Sequence, residues 1–224
     1  MNVNQITNRE NDTPGENYDY LRVHSGSVKK KDLEIALGKL EAFSDPDPRL
    51  EQYPTPASVA ADILFRAYSD GDVEGMKVID LGCGTGIFAV GAALLGAGLV
   101  IGFDVSEKAI ETAKKNAVSA GADIEFVVSD VSDVSEGADT VFMNPPFGCQ
   151  TRRADRPFLD KAMECAECVY SLHKAETFPF VEEYCGKKGR KASLCKVYKY
   201  DIPHTFVFHR EAKRSIEMAA VNIR

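Results

Sequence analysis

Apolar residues recur at helical spacing between Lys30 and Phe43, where Leu33, Ile35, Ala36, Leu37, Leu40 and Phe43 predict an amphipathic helix. Asp45-Pro46-Asp47-Pro48 stops it, because the residue before a proline is pushed out of helical geometry. After Glu51-Gln52-Tyr53-Pro54-Thr55-Pro56 a second helix is expected from Ala57 to Tyr68, ended by Asp70-Gly71-Asp72. Short apolar runs then alternate with helical stretches. Lys77–Leu81, Leu99–Phe103, Ile124–Val128 and Thr140–Met143 read as strands, and Gly84–Leu95 and Glu107–Ala120 as helices. Pro157–Cys168 reads as a helix, Val169–His173 as a fifth strand, and Ala175–Gly186 as a helix. Ala192–Tyr200 and Ile216–Ile223 form a late strand pair.

Strict alternation of apolar strands with helices implies a parallel sheet covered on both faces. Right-handed crossovers make it an α/β doubly wound, Rossmann-like fold, expected to hold seven mostly parallel strands with an N-terminal helical extension. Residues 1–28 have few apolar positions and no periodicity, so a disordered tail is expected ahead of a single domain over 29–224. No internal repeat interrupts this plan.

Composition narrows the setting. A 44% hydrophobic content and a mean hydropathy of -0.21 suit a soluble globular chain. No apolar run reaches the roughly 18 residues a membrane span needs, and no secretory leader is visible, so no membrane role and a cytoplasmic location are expected. Six scattered cysteines fit reduced thiols. The lone Cys165-x-x-Cys168 falls late in the predicted helix and reads as buried small residues, with no metal site expected. Net charge is -7, yet its distribution is uneven. Residues 1–150 carry 12 Lys/Arg against 24 Asp/Glu, and residues 151–224 carry 15 against 10. The basic third includes Arg152, Arg153, Arg156, Lys187, Lys188, Arg190, Lys191, Arg210, Lys213 and Arg214. Such a surface permits a polyanion and equally fits solvated helices and loops.

The chemistry begins at Asp80-Leu81-Gly82-Cys83-Gly84-Thr85-Gly86, where three alternating glycines follow a strand and open a helix. Glycine tolerates positive φ and lets backbone approach a ligand closely. The spacing differs from the dinucleotide G-x-G-x-x-G, and an acid precedes the turn. The second strand ends at Asp104, where a carboxylate accepts ribose hydroxyls, and the third at Asp130-Val131, where an acid accepts an adenine amino group beside an apolar contact. Each aspartate also reads as a helix cap, Asp104 ahead of Ser106 above all. Together the motifs look like a class I S-adenosylmethionine-dependent methyltransferase.

The fourth strand runs into Asn144-Pro145-Pro146-Phe147. An aromatic amine is a poor nucleophile because its lone pair is delocalised into the ring. If the Asn144 side-chain oxygen and the Pro145 carbonyl each accept one N–H, the nitrogen pyramidalises and its lone pair faces a sulfonium methyl. Consecutive prolines stiffen that carbonyl, and Phe147 offers a flat face for a base, worth on the order of 1–3 kcal/mol. The motif resembles that of amino-group methyltransferases acting on adenine N6, guanine N2 or glutamine amide nitrogen.

Several pieces narrow the resemblance: Leu50-Glu51-Gln52-Tyr53-Pro54-Thr55, Leu94-Leu95-Gly96-Ala97-Gly98, Gly102-Phe103-Asp104, Met143 to Gly148, Val169-Tyr170-Ser171-Leu172-His173-Lys174 and Phe208-His209. They are similar to the small-subunit ribosomal RNA adenine-N6 methyltransferases, the methyltransferase-like-five group with its archaeal relatives. The resemblance implies that Gln52 and Thr55 touch the cofactor, with Tyr53 closing over it. Gly82, Thr85 and Ile87 would line the turn, Asp104 with Val105 and Asp130 with Val131 would flank it, and Asn144 to Phe147 would hold an adenine. It also implies ribosomal RNA as partner and a small zinc-binding activator subunit pairing at a strand edge. His173 and His209 read as hydrogen-bonded structural residues ahead of RNA contacts. Lys29-Lys30-Lys31 reads as a solvated helix start. A protein glutamine methyltransferase, a guanine N2 methyltransferase and a non-catalytic rRNA-binding or scaffold module are the alternatives, with a dehydrogenase disfavoured by the glycine spacing.

Overall fold

The computed structural model describes residues 28–44, 46–147, 154–202 and 214–224. Helix α1 spans Lys30–Leu37, a 3-10 turn Pro48–Leu50, and α2 Ala57–Ser69. The alternating region follows as β1 Lys77–Leu81, α3 Ile87–Leu94, β2 Leu99–Asp104, α4 Glu107–Ser119, β3 Glu125–Val128 and β4 Thr140–Met143. Then come α5 Arg156–Cys165, β5 Cys168–Lys174, α6 Phe178–Lys187, β6 Ala192–Ile202 and β7 Arg214–Ile223. The tail of residues 1–27, Gly148, Arg152, Arg153, Phe208, His209, Arg210 and Lys213, each singled out in the sequence, lie outside the described residues, as does the Asp45 helix stop.

The strands form one seven-stranded sheet in the order β3-β2-β1-β4-β5-β7-β6. β1 to β5 pair in parallel, while β7 pairs antiparallel with both β5 and β6. The sheet is the expected mostly parallel, Rossmann-like one. Its winding reverses between β1 and β4, and in such sheets ligands bind in the crevice outside the strand ends at that point.

Side chains alternate along each strand into two cores. Val78, Val100, Phe142, Tyr170 and Met218 pack under α2, α3 and α4. Ile79, Ile101, Val141, Val169 and Val221 pack under α5 and α6. Phe88, Phe142 and Tyr170 stack in a row with centroids 5.7 and 5.4 Å apart, pinning α3 across β4 and β5. No helix of the described residues is long and apolar enough to cross a membrane.

The helix expected from Ala175 starts at Phe178 after a 3-10 turn, and the late strands extend to Ile202 and back to Arg214. Three further departures bear on the site or the cysteines. Helix α1 stops at Leu37, so Leu40 and Phe43 serve the cavity described below instead of continuing a helical stripe. Gly82, Gly84 and Gly86 all take positive φ, which delays α3 until Ile87. Helix α5 ends at Cys165, the backbone turns extended at Ala166, and Cys168 opens β5, so the C-x-x-C pair is split between a helix end and a strand start. Both cysteines are buried and free, as small residues of the core.

Candidate active site

At the carboxyl ends of β1, β2 and β4 lies a cavity of about 420 Å³. Its floor is the turn after β1. Gly82, Gly84 and Gly86 hold φ of 72°, 55° and 86°, values an L side chain adopts only at a cost. Space also forbids side chains there. A Cβ at Gly82 would stand 2.8 Å from Cε1 of Phe158, and one at Gly84 would stand 2.9 Å from Cζ of Phe43. The turn is therefore squeezed between an α5 ring and a ring from the N-terminal segment, with its backbone bared to the cavity. Gly86 does not line the cavity; it caps α3 and packs against Ala113 and Phe126.

The acids at the strand ends separate by environment. Asp80 is buried, and its Oδ2 accepts the backbone N–H of Ala89 at 2.9 Å. Burial, with the nearby Asp104 charge adding to it, pushes its carboxyl up to about 7. Asp104 accepts the Gly84 N–H on one oxygen at 2.8 Å and the Ser106 N–H on the other at 2.9 Å. Its carboxyl is also raised by burial, against those hydrogen bonds. Ser106 itself caps α4 by accepting from Ala109, so Asp104 is not the helix cap. Asp130 is exposed and accepts the N–H and hydroxyl of Ser132 on a single oxygen, which lowers its carboxyl.

Across the cavity the Asn144 amide Nδ2 donates to the Thr55 hydroxyl at 3.0 Å. Its Oδ1 is buried and has no donor among the described residues. Pro145 is buried, Pro146 joins Asn144 on the cavity wall, and Phe147 lies off the wall. The Phe147 ring stacks on Tyr53 at a centroid distance of 5.9 Å and an interplanar angle of 12°. Gln52, Tyr53, Thr55, Asp80, Gly82 to Thr85, Ile87, Asp104, Val105, Asp130 and Val131 all face this one cavity. Gln52 does so while its Oε1 accepts the Asp47 N–H at 2.8 Å.

Three residues outside the sequence motifs also build the site. Asn116 on α4 is buried; its amide accepts the Glu41 N–H at 2.8 Å and donates to the carbonyls of Glu41 and Thr85 at 3.0 and 2.9 Å. It binds the N-terminal segment to the glycine turn. Its one signal in the sequence is a polar residue on the apolar stripe of Ile110, Ala113 and Ala117. Phe43 and Phe158 give no comparable signal, because their partners are distant glycines.

The basic residues are less available than their number implies. Lys187 pairs with Glu183, Lys188 with Asp160, Lys196 with Asp62 and Arg224 with Asp72. Lys30 also pairs with Asp62, at 2.6 Å. Arg156 lies over Phe180 and Tyr184, and Arg190 donates to the carbonyls of Met163, Ala166 and Glu167. His173 is buried with Nε2 2.7 Å from the Ser171 hydroxyl, and burial lowers it to about 4. Among the described residues no cluster of His, Cys, Asp and Glu could hold a metal.

Residues 72–198 match the model of a methyltransferase domain family. The chain is 40% identical to a Methanocaldococcus jannaschii protein over 88% of its length and 94% of the relative. It is 35% identical to the rRNA N(6)-adenosine-methyltransferase METTL5 of Danio rerio, over 88% of this chain and 98% of that one. A crystal structure of a candidate RNA methyltransferase from Pyrococcus horikoshii superposes with a TM-score of 0.82 at 40% identity, covering 88% of this chain and 98% of the other. With the glycine turn, the strand-end acids and these near full-length relatives, the chain belongs to the class I S-adenosylmethionine-dependent methyltransferases and, among them, to the methyltransferase-like-five family.

Proposed function

We propose that this protein transfers the methyl group of S-adenosylmethionine to the N6 amino group of an adenine in small-subunit ribosomal RNA, acting in the cytoplasm. The observation that carries the reading is the Asn144 carbonyl oxygen, buried at the cavity wall with no donor among the described residues. An unsatisfied buried acceptor is costly unless a ligand completes it. An exocyclic amine supplies the missing donor.

The residues present fit the cofactor. The cavity volume falls within the range of small-molecule sites, roughly 300–1,000 Å³. The bared turn at Gly82 to Thr85 would receive the amino-acid portion, and the Asp104 oxygens keep lone pairs for ribose hydroxyls beyond the two backbone bonds they accept. Asp130 and Val131 would flank the adenine. When bound, the cofactor supplies an electrophilic methyl on a positively charged sulfur.

The chain's own contribution is placement. Asn144 Oδ1 and the Pro145 carbonyl would accept the two N–H bonds of the acceptor amine and turn its lone pair toward the cavity. Phe147 would stack on the base, which must be unpaired or flipped to enter. Positioning alone offers roughly 7–11 kcal/mol of barrier reduction, so no strong base is required.

The family resemblance also carries a proposal about a partner, a small zinc-binding activator. Among the described strands β3 pairs with β2 alone, and Val128 on it is exposed, so this edge can accept a further strand. Incubation with labelled S-adenosylmethionine and ribosomal RNA lacking the modification, followed by nucleoside analysis, tests the main reading. Label in N6-methyladenosine is the expected result. Label in guanosine or in glutamine of a protein would replace it with one of the alternatives.

A further inference from the structure

The segment ahead of α2 makes two contacts with the acceptor loop. Thr55, 9% exposed, receives the Asn144 amide on its hydroxyl at 3.0 Å, and two residues earlier the Tyr53 ring lies parallel to Phe147. The segment is held in shape for this. Glu51 is the one non-glycine among the described residues with positive φ, at 50°, and the Tyr53 N–H donates to the Glu51 carbonyl at 2.7 Å.

An asparagine amide has two ends of nearly equal shape and opposite hydrogen-bonding character. Only the oxygen end can accept from an amine; turned by 180°, Asn144 would aim its own N–H groups at the acceptor's. The part-buried Nδ2 donates to the Thr55 hydroxyl, which leaves the buried Oδ1 as the end open to the target. We propose that Thr55 is a positioning residue, whose hydroxyl tethers the Asn144 amide at the cavity wall. Because a hydroxyl can bond either end, the N–H donors of the target amine select the rotation in which Oδ1 faces them while Nδ2 stays on Thr55. This rests on the proposed function, since it assumes that Asn144 receives an amine. It assigns Thr55 to the acceptor half of the site, where the family resemblance assigns it to the cofactor.

The test compares Thr55→Val, Thr55→Ser, Asn144→Ala and the Thr55→Val/Asn144→Ala double variant in full-length protein. Single-turnover methyl transfer, cofactor Kd by calorimetry and thermal melting are measured on each. Thr55→Val keeps the shape and removes the hydroxyl. It is expected to lower kcat about tenfold, the size of one lost hydrogen bond, with cofactor Kd within twofold of wild type. Thr55→Ser restores the rate to within about threefold, and the double variant is no slower than Asn144→Ala alone, since both act through one amide. Should Thr55→Val melt early, the serine variant and the non-additivity still decide the matter.

Full activity in Thr55→Val, a loss confined to cofactor Kd, no rescue by serine, or additive losses in the double variant would each overturn the assignment. In all four cases wild-type methylation of adenine N6 would still stand. Wild-type protein that methylates no adenine would instead remove the functional reading, and this inference with it.

Discussion

The carboxylate of Asp104 at the end of β2 accepts the backbone N–H of Gly84 in the turn after β1, at 2.8 Å. The bond locks the shape of the turn from the neighbouring strand, before any ligand arrives. Its other oxygen holds Ser106 in the same way, so one side chain braces two loops of the cavity and still has lone pairs to offer.

Asp104→Ala removes both braces and, with them, the proposed ribose acceptor. Cofactor affinity is expected to fall at least tenfold by calorimetry, with a Tm lower by roughly 2–4 °C for each kcal/mol lost. Unchanged affinity would separate the brace from the binding role.

Asn144→Ala removes the buried oxygen proposed to accept from the target amine. The expected loss in kcat is about 10²–10³-fold, by analogy with removal of a single preorganised polar group from other active sites. Cofactor Kd should stay within twofold, and a variant as active as wild type contradicts the assigned role.

Phe147→Leu keeps an apolar side chain and removes the flat ring. Steady-state kinetics should show kcat/KM for RNA lowered about five- to a hundredfold, as lost base stacking predicts, while cofactor Kd is unchanged. Equal kcat/KM in the variant would mean the ring serves Tyr53 alone.

Asp80 makes stability depend on pH in a stated direction. Its folded carboxyl titrates at about 7 against an ordinary 3.8, so the folded chain keeps a proton that the unfolded chain has released. The associated stability is complete below pH 3.8 and is lost as pH rises to 7, by an amount on the order of a few kcal/mol. His173 acts oppositely: lowered from 6.5 to about 4, its contribution is complete above pH 6.5 and is lost toward pH 4. Melting wild type beside Asp80→Asn cancels the histidine, which both share. Wild type should lose stability relative to the variant between pH 4 and 7; parallel profiles would refute the shift.

The parts of the site legible in the sequence are those written locally. β1 and β4 have the same bounds in the pattern and in the structure, and Asp80 to Gly86 and Asn144 to Phe147 follow directly from their ends. Alternation and handedness gave a doubly wound, mostly parallel sheet; the strand order, with β7 set antiparallel between β5 and β6, comes from the structure. Tertiary geometry accounts for what the sequence did not show. Phe43 continued a helical stripe on paper, yet its ring is committed to the space beside Gly84, 41 positions away. Asn116 joins Glu41 to Thr85 across 75 and 31 positions, and no local pattern encodes such a bridge. Ala166 adopts φ -148° and ψ 154°, ending α5 where helical spacing alone would have run on to Cys168.

The late strand pair reaches farther than the strand beside it. β5 ends against Met218, while β6 and β7 remain paired from Lys199 with Glu217 to Ile202 with Arg214. At about 3.3 Å per residue, those four pairs rise roughly 13 Å past the end of β5, on the side of the sheet where Asn144 sits. The landing ground in front of the cavity is thus fenced along one margin. Under the proposed function, a nucleic acid offering a base to Asn144 comes in between that ribbon on the β6 side and, over β1 and β2, the segment whose Phe43 packs on Gly84 and whose Glu41 is tied to Asn116, so both margins of its approach are built up.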